Sequence, residues 1–359
     1  MIPYGRQSID DDDIAAVVAV LKGDWLTQGP HIAEFEEALA ARVEARHAVV
    51  FSSGTAALHA AAAAAGLGPG DLVVTSPLTF AASANCVRYV GGSVSFVDID
   101  PATLNMNLAT VPPEADGVVV VHYAGLPTDL GTLGRRPGVV IEDAAHALGA
   151  TTPDGPVGNC ARSDMCVFSF HPVKVVTAGE GGVVTTNEAT LAERLRRFRN
   201  HGMTPRPDLG PWYYEIETLG YNYRMTDIQA ALGTSQLGKL DRFVGSRQAL
   251  AARYERLLAG TSVVLPPRAG DGSTHAYHLF PVRVPERARV FAGMRDAGIG
   301  VQTHYVPVYR HPAYAGPGAG PGQFPHTEAA YAGLLSLPMY PDLTQADQDR
   351  VVEALVGLL

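Results

Sequence analysis

The middle of the chain alternates short apolar runs with segments of helical length. The apolar runs are rich in β-branched residues and are bounded by turn residues. The predicted strands are residues 47–52, 72–76, 94–100, 117–123, 138–144, 165–170 and 181–187. Because apolar strands that alternate with helices form parallel sheets covered on both faces, we predict an α/β fold with a mostly parallel, seven-stranded sheet. A sheet of this kind carries its ligand site at the carboxyl ends of its strands.

Helical patterns precede and follow the predicted sheet. Ser8 and the acidic run at 10–13 indicate the start of a first helix, because carboxylates stabilise a helix N-terminus. A turn-rich segment at 25–30 separates this helix from a second one. After the sheet, further helices are predicted over residues 191–201 and 227–257.

The pattern changes again near residue 263. Strand-like runs at 277–284 and 299–306 flank a predicted helix at 288–297, which is typical of a smaller α+β domain. The Gly- and Pro-rich residues 316–322 are predicted to form an exposed loop.

Length and composition fit a globular protein of two domains. The chain has 359 residues, of which 47% are hydrophobic and 18% charged, and this composition argues against disorder. We predict a large domain over residues 1–240 and a small C-terminal domain over residues 241–359. The net charge is -9 and no run of Lys or Arg forms a basic stripe, so nothing indicates nucleic-acid binding.

The cysteines and the N-terminus indicate the compartment. Cys86, Cys160 and Cys166 are odd in number and fit no metal or disulfide spacing, so we predict no metal site and a reducing environment. The N-terminal residues contain no apolar signal core, and the longest apolar stretch, at 56–65, is too short to span a bilayer. We therefore expect a cytoplasmic enzyme without membrane association.

Lys174 lies between a predicted strand and the glycine-rich residues 178–182. A lysine in a turn at a strand end can reach a ligand at the edge of the sheet. Chemistry with pyridoxal 5′-phosphate (PLP) requires one such lysine, which forms a Schiff base with the cofactor and later moves protons. An isolated lysine is more often a solvated surface residue, but the neighbouring motifs favour the cofactor.

Asp143 ends the strand predicted at 138–144. A carboxylate at this place could hydrogen-bond the protonated pyridine nitrogen of PLP and keep the ring an electron sink. Alternatively, Asp143 could cap a helix formed by the residues AAHAL that follow. His146 comes shortly afterwards and could either touch the cofactor ring or pack in the core.

Ser53, Gly54 and Thr55 stand where a predicted strand gives way to a helix. The free amides of a helix N-terminus bind phosphate, Gly54 permits a close backbone approach, and the two hydroxyl groups add donors. The alternative is an ordinary helix cap. No GxGxxG motif follows a strand, which argues against a dinucleotide fold.

Two further motifs add candidates. Phe80 follows a strand and could stack on a flat heteroaromatic ring, although an aromatic residue there packs more often in the core. Asn222 and Arg224 lie in a turn that is too polar for a core, just before an amphipathic helix. The alternative for this turn is a solvated loop.

Together these motifs resemble the DegT/DnrJ/EryC1/StrS family of sugar aminotransferases, which are fold-type I PLP enzymes with an aspartate aminotransferase-like large domain. The similarity covers nearly the whole chain, through YGRQSIDDDDIAAV, LTQGP, FSSGTAAL, EDAAHALGA, SFHPVK, GEGG, FRNHGM, GYNYRMTDIQAALG, THYVPVY and SLPMYPDL. In part of the family a histidine replaces the lysine and the enzyme is a sugar dehydratase. Lys174 disfavours that branch.

The resemblance implies roles for individual residues. Catalysis would involve Lys174, Asp143 and His146. Cofactor binding would involve Ser53, Gly54, Thr55, Phe80, Asp143, His146, Ser169, Lys174 and Asn222. Nucleotide-sugar binding would involve Tyr4, Leu26, Thr27, Gln28, Gly29, Ser53, Ser169, Asn222, Arg224, Thr303, His304, Tyr305 and Val306. Asn222 would reach the cofactor phosphate of the neighbouring subunit, which implies a homodimer with shared active sites.

The resemblance also implies a reaction. SFHPVK with GEGG, FRNHGM and THYVPVY is most similar to the transaminases of pseudaminic acid synthesis, which make UDP-4-amino-4,6-dideoxy-N-acetyl-β-L-altrosamine. We therefore expect transfer of an amino group from L-glutamate to C4 of a UDP-4-keto-6-deoxy-N-acetylhexosamine. One alternative is a dTDP-keto-sugar or keto-cyclitol of antibiotic biosynthesis. Another is a regulator with this fold that has lost catalysis.

Overall fold

The computed structural model describes residues 1–314 and 320–359, and the strands of these residues form one large sheet and three small ones. The strands are β1 (His47–Phe51), β2 (Leu72–Thr75), β3 (Ser93–Phe96), β4 (Gly117–Val121), β5 (Val139–Asp143), β6 (Thr151–Thr152), β7 (Gly155–Pro156), β8 (Met165–Ser169), β9 (Gly182–Thr186), β10 (Met203–Pro205), β11 (Tyr214–Ile216), β12 (Phe280–Arg283) and β13 (Leu334–Leu337). Each small sheet pairs two antiparallel strands: β6 with β7, β10 with β11, and β12 with β13.

The large sheet has seven strands in the order β1-β9-β8-β5-β4-β2-β3. β9 is antiparallel to both of its neighbours, and the other neighbouring strands are parallel. The predicted seven-stranded, mostly parallel sheet is therefore confirmed. Since every strand except β9 runs in the same direction, the carboxyl ends of β1, β4, β5 and β8 meet at one edge.

Ten α-helices are present among the described residues, and they cover the sheets. They are α1 (Asp11–Lys22), α2 (Pro30–Arg42), α3 (Gly54–Ala64), α4 (Ala82–Tyr89), α5 (Ala189–Arg199), α6 (Asp227–Leu237), α7 (Leu240–Leu257), α8 (Arg287–Asp296), α9 (Pro325–Gly333) and α10 (Gln345–Val356). Alternation along β1 sends Val50 to the face where Phe35 of α2 packs, and Val49 to the opposite face, where α3 and α5 pack. Both faces of the large sheet are thus buried.

A second core lies in the C-terminal region. Val282 of β12, Leu335 of β13 and Val351 of α10 pack in it, and Ile2 joins it from the N-terminus. α7 contributes to both cores, because its first turn packs with the large sheet and Tyr254 packs with the second core. The domain boundary between residues 240 and 241 stays a prediction.

Several helix limits differ from the sequence-based prediction. α1 begins at Asp11 and is capped by Asp10 instead of Ser8, because the Asp10 and Asp13 side chains accept hydrogen bonds from each other's backbone amides. The helix predicted over 227–257 is divided at Gly238 and Lys239 into α6 and α7.

One predicted strand, and the helix that would follow Asp143 in the alternative interpretation of that residue, are absent from the described residues. The segment 299–306 is not a strand and makes only isolated bridges, from Ile299 to Ile2 and from Gln302 to Ser336. The residues after Asp143 form turns, so no helix begins there. Residues 316–319 of the predicted loop at 316–322 lie outside the described part of the chain. Within the described part, no helix is both long and apolar enough to cross a bilayer.

Candidate active site

A cavity of about 540 Å³ lies at the carboxyl edge of the large sheet. The ends of β4, β5 and β8 and the N-terminus of α3 form its floor, and segments from the C-terminal region form a wall. The predicted site residues that line it are Tyr4, Ser53, Gly54, Thr55, Phe80, Asp143, His146, Ser169, Lys174, His304 and Tyr305. The topology therefore brings together side chains that are far apart in sequence.

Lys174 is held in a turn after β8, where its amide donates to the carbonyl of His171 at 2.9 Å. Burial lowers the pKa of its ammonium group to about 8, and the attraction of the Asp143 carboxylate opposes this shift. A larger fraction of neutral amine is then present near neutral pH, as a nucleophile requires. The other lysines of the sequence are Lys22, which is exposed, and Lys239, which pairs with acidic residues near α1.

Asp143 is the last residue of β5, and both of its oxygens accept hydrogen bonds. Ser83 Oγ donates to Oδ2 at 2.6 Å, and the amide of Ala145 donates to Oδ1 at 3.2 Å. Thr79 Oγ1 lies 2.8 Å from Ser83 Oγ and completes a buried chain of hydroxyl groups. Because no helix follows Asp143, the helix-cap interpretation is wrong. The carboxylate instead stands fixed at the edge of the cavity.

The N-terminus of α3 faces the cavity beside Ser169. Ser53 caps the helix, since its hydroxyl accepts from the amide of Ala56 at 3.1 Å. A side-chain carbon at Gly54 would lie 2.9 Å from Cβ of Ser169, so only glycine lets the two segments approach this closely. Helix amides together with the hydroxyl groups of Thr55 and Ser169 form a cradle suited to a phosphate group.

Aromatic rings and imidazoles surround the rest of the cavity. Nε2 of His146 lies 3.0 Å from the hydroxyl of Tyr305. Burial, reinforced by the charge of Lys174, holds the pKa of His146 well below its usual range, so this imidazole stays neutral. Phe80 is 60% exposed and lines the cavity, which rules out the core-packing interpretation. Its ring centroid lies 6.0 Å from that of Tyr305.

These features fit PLP as a group of residues. The cradle at α3 suits its phosphate, the carboxylate of Asp143 suits a protonated pyridine nitrogen, and Lys174 suits its aldehyde. When it is bound, PLP supplies an electron sink that allows a proton to leave the carbon bearing an amino group.

The remaining predicted site residues do not line this cavity in the single chain. They are Leu26, Thr27, Gln28, Gly29, Asn222, Arg224, Thr303 and Val306. Thr303 turns away because its hydroxyl accepts from Arg287 at 3.0 Å and lies 3.3 Å from the carbonyl of Leu334. Its role and that of Val306 stay predictions.

Residues 26–29 and 222–224 lie close together elsewhere. The carboxylate of Asp227, at the start of α6, accepts from the amide of Gly29 at 2.8 Å. Another cavity, of about 490 Å³, is lined by Gln28, Gly29 and Arg224 together with three arginines of α5. Asn222 is exposed and forms a backbone bridge with Asn200.

The motifs missed several residues of the cavity. Thr79 and Ser83 stand beside Phe80 in the same motif, and their spacing of one helical turn was the available signal. Glu180 lies within the glycine-rich segment after Lys174. His278 comes from a predicted strand of the C-terminal region, and nothing in its local sequence connects it with the large sheet.

Known proteins are similar to this chain in sequence and in architecture. The sequence pattern of the DegT/DnrJ/EryC1/StrS aminotransferase family matches residues 7–356. The chain belongs to this family. It is 37% identical to the spore coat polysaccharide biosynthesis protein SpsC of Bacillus subtilis, over 99% of this chain and 96% of SpsC.

Solved structures of the family agree closely with the fold. The Spr1654 protein of Streptococcus pneumoniae in its pyridoxamine phosphate (PMP) form superposes with a TM-score of 0.93 at 27% identity. The superposition covers 100% of this chain and 99% of Spr1654. PseC of Helicobacter pylori, an aminotransferase involved in pseudoaminic acid biosynthesis, has a TM-score of 0.88 at 26% identity, covering 99% of this chain and 98% of PseC. Spr1654 is also known in a PLP form. The protein is thus a PLP-dependent aminotransferase with the predicted fold.

Proposed function

We propose that this aminotransferase moves an amino group from L-glutamate to C4 of a UDP-4-keto-6-deoxy-N-acetylhexosamine. The observation that carries the proposal is the cavity where Lys174 and Asp143 meet beneath Tyr4, His304 and Tyr305. Lys174 and Asp143 suit the cofactor that amino transfer requires. The rings of Tyr4, His304 and Tyr305 offer apolar faces, and the two tyrosines offer hydroxyl groups, that suit a sugar ring. The likeness to PseC supports a nucleotide-linked amino sugar as the product.

The residues of the chain have separate tasks in this reaction. Lys174 would hold the cofactor, and its free amine would take a proton from the reacting carbon and return it. Its pKa of about 8 suits a group that both takes and gives a proton near neutral pH. Asp143, held by Ser83, stabilises positive charge on the pyridine nitrogen. His146 stays neutral at the wall of the cavity and would meet the cofactor as an uncharged imidazole.

A panel of keto-sugars tests the substrate. The enzyme in its PMP form would be mixed with a UDP-4-keto-6-deoxy-N-acetylhexosamine, a dTDP-4-keto-6-deoxyhexose and a keto-cyclitol, and the product would be read by NMR. We expect amination of the UDP-sugar at C4 with the highest kcat/KM. Preference for the dTDP-sugar or the cyclitol would contradict the proposed substrate but leave the aminotransferase reaction intact.

We further propose a homodimer with shared active sites. Residues 26–29 and Asn222 with Arg224 form one surface that is separate from the cofactor cavity of their own chain. Two of its four arginines, Arg196 and Arg224, form no ion pair with the described residues and suit the phosphates of a nucleotide-sugar. An isologous dimer could bring the surface of each subunit to the cavity of the other.

Mixed subunits test this arrangement. Lys174→Ala and Asn222→Asp should each be severely impaired, the first by loss of the amine and the second by repulsion of the cofactor phosphate. Hybrids purified through two different tags should recover activity, because one of their two sites is intact. Confirmed hybrids without recovery would place Asn222 in the site of its own subunit or outside any site.

A further inference from the structure

His278 is a residue of the cavity whose ring has an unpaired nitrogen. The side chain is 4% exposed, lines the cavity, and its ring centroid lies 4.4 Å from that of His146. Nδ1 is buried and has no hydrogen-bond partner among the described residues. Because Nδ1 is enclosed by protein, a ligand in the cavity would meet the other ring nitrogen, Nε2, which makes no hydrogen bond to the described residues and can donate one.

The backbone around His278 is fixed from two sides. Arg247 is fully buried in α7, and its Nη1 donates to the carbonyls of Tyr277, His278 and Met339 at 3.2, 3.1 and 2.9 Å. Tyr277 has a φ of 47°, a left-handed conformation that is strained for a residue with a side chain. Its amide donates to Nδ1 of His275 at 2.9 Å. The chain therefore keeps a strained residue in place directly before the ring that faces the cavity.

The charges around the cavity indicate which group His278 would meet. Among the described lining residues there is no arginine. The side chains with a nitrogen that could donate a hydrogen bond to an anion are Lys174, His146, His171, His278 and His304. Lys174 would be bonded to the cofactor and His171 is exposed at the rim of the cavity, so neither is available to the anion. We therefore expect the three buried or half-buried imidazoles, those of His146, His278 and His304, to recognise an anion near the reacting atoms.

The amino donor brings such an anion. Its α-carboxylate is bonded to the same carbon as the amino nitrogen, so it must lie next to the place that Lys174 Nζ occupies. A keto-sugar carries hydroxyl groups or hydrogen at the corresponding ring atoms, and no charge. A hydrogen-bond donor of the protein close to Lys174 would consequently contribute more to the binding of the amino acid than to the binding of the sugar.

We infer that His278 contacts the amino donor, donating a hydrogen bond from its imidazole to an oxygen of the donor's α-carboxylate. This inference rests on the proposed function, because it takes an amino acid such as L-glutamate as the donor. Arg247 is then a positioning residue, which acts through the carbonyls of residues 277 and 278.

Equilibrium binding of glutarate to the PLP-loaded enzyme tests the contact without turnover. Glutarate has the two carboxylates of glutamate but lacks its amino group, so it binds and does not react. His278→Leu should weaken glutarate binding, measured by isothermal titration calorimetry, by about ten- to a hundredfold, as expected for a lost hydrogen bond to a charged group. His278→Gln keeps a side-chain donor and should recover part of the affinity.

A matched control is available on α7. Gln248 is the neighbour of Arg247, and its Nε2 donates to the carbonyl of His275 at 3.1 Å, outside the cavity. Gln248→Ala removes a hydrogen bond to the same segment and should leave glutarate affinity unchanged. Arg224→Ala serves as a comparison, since Arg224 belongs to the other surface that is proposed to meet substrate. Loss of glutarate affinity in Arg224→Ala, with none in His278→Leu, would overturn the inference.

The two half-reactions complete the test. His278→Leu should slow the reaction of the PLP form with L-glutamate by a similar factor, and change the reaction of the PMP form with the keto-sugar by less than about threefold. Equal slowing of both half-reactions would overturn a donor-specific role. A wild-type enzyme that fails to react with L-glutamate would contradict the proposed donor, whereas a reactive wild type with an unaffected variant contradicts this inference alone.

Discussion

Two cavities of nearly equal volume lie on opposite faces of the large sheet. One, of about 540 Å³, is lined by Asp143, and the other, of about 550 Å³, by its neighbour Glu142. Successive residues of a strand point to opposite faces, so a single residue step separates the two environments. Volume alone would not distinguish the active site from the cavity behind it.

The polar groups of the two cavities differ in how they are paired. Behind the sheet, Glu142 binds Nε2 of His122 at 2.8 Å and accepts from Ser163, and the amide of Thr128 donates to Nδ1 of His122 at 2.9 Å. The arginines that line this cavity are in ion pairs as well. In the active site, an amine with a lowered pKa and an unpaired imidazole remain. Satisfied networks stabilise a fold, and unsatisfied groups are left for a ligand.

The largest expected effect is that of Lys174→Ala. Loss of the amine removes both the covalent attachment of the cofactor and the proton carrier, so turnover should fall by at least about 10³-fold. The variant should also lack the visible absorbance of the lysine-bound cofactor. Steady-state rates with glutamate and an absorbance spectrum check this. A variant with wild-type rates would remove Lys174 from the mechanism.

Asp143→Asn and Glu142→Gln form a pair that probes the two faces directly. Asp143→Asn should slow turnover by about 10²- to 10³-fold while PLP still binds, because the charge beside the pyridine nitrogen is lost. Glu142→Gln should change turnover by less than about threefold and lower the free energy of unfolding by about 1–3 kcal/mol, because a buried network is broken. Kinetics and denaturant unfolding of both variants measure the contrast. Similar kinetics for the two would contradict it.

The pH dependence of cofactor capture sharpens the difference between Lys174 and an exposed lysine. The pKa of Lys174 is lowered from 10.5 to about 8, so the neutral amine becomes the major form above pH 8. The rate at which the apoenzyme captures PLP should rise about tenfold per pH unit below this value and level off above it. Stopped-flow absorbance would measure this rate between about pH 6 and 10, a range that extends about two units on either side of the pKa. A rate that continues to rise to the upper end would indicate an unshifted lysine.

Ser83→Ala should have the smallest effect of this series. It removes the hydrogen bond to Asp143 Oδ2 but leaves the carboxylate in place, so we expect turnover to fall about five- to tenfold. Cys86→Ala is the matched control, since Cys86 lies on the same helix and its thiol donates to the carbonyl of Ser83 and not to Asp143. Steady-state kinetics of the two variants should separate them. Equal effects would point to helix packing instead of the carboxylate.

Local patterns predicted much of the sheet and its edge. Apolar runs bounded by turns gave seven strands, and residues at strand ends, such as Asp143 and Ser53, lie at the cavity because parallel strands end on one side. The family resemblance, and not the local pattern, implies that the polar turn with Asn222 serves a neighbouring subunit. Its exposed position away from the cavity of its own chain supports that proposal without testing it.

Long-range contacts were beyond the reach of these patterns. His278 reaches the cavity through the docking of the C-terminal region on the large sheet, and its segment reads locally as a strand. The AAHAL residues have a helical composition but form turns after Asp143. Tertiary packing decides both cases, and local propensity is a weaker influence.

The account's central claim is that Lys174 is the residue that binds the cofactor covalently. Borohydride reduction of the PLP-loaded enzyme makes the lysine–cofactor bond permanent, and peptide mass spectrometry then locates it. The lysines that could carry the modification are Lys22, Lys174 and Lys239. We predict a stoichiometric label on the peptide containing Lys174 and none on the others. A label on Lys22 or Lys239, or no label in an enzyme that retains activity, would contradict the account.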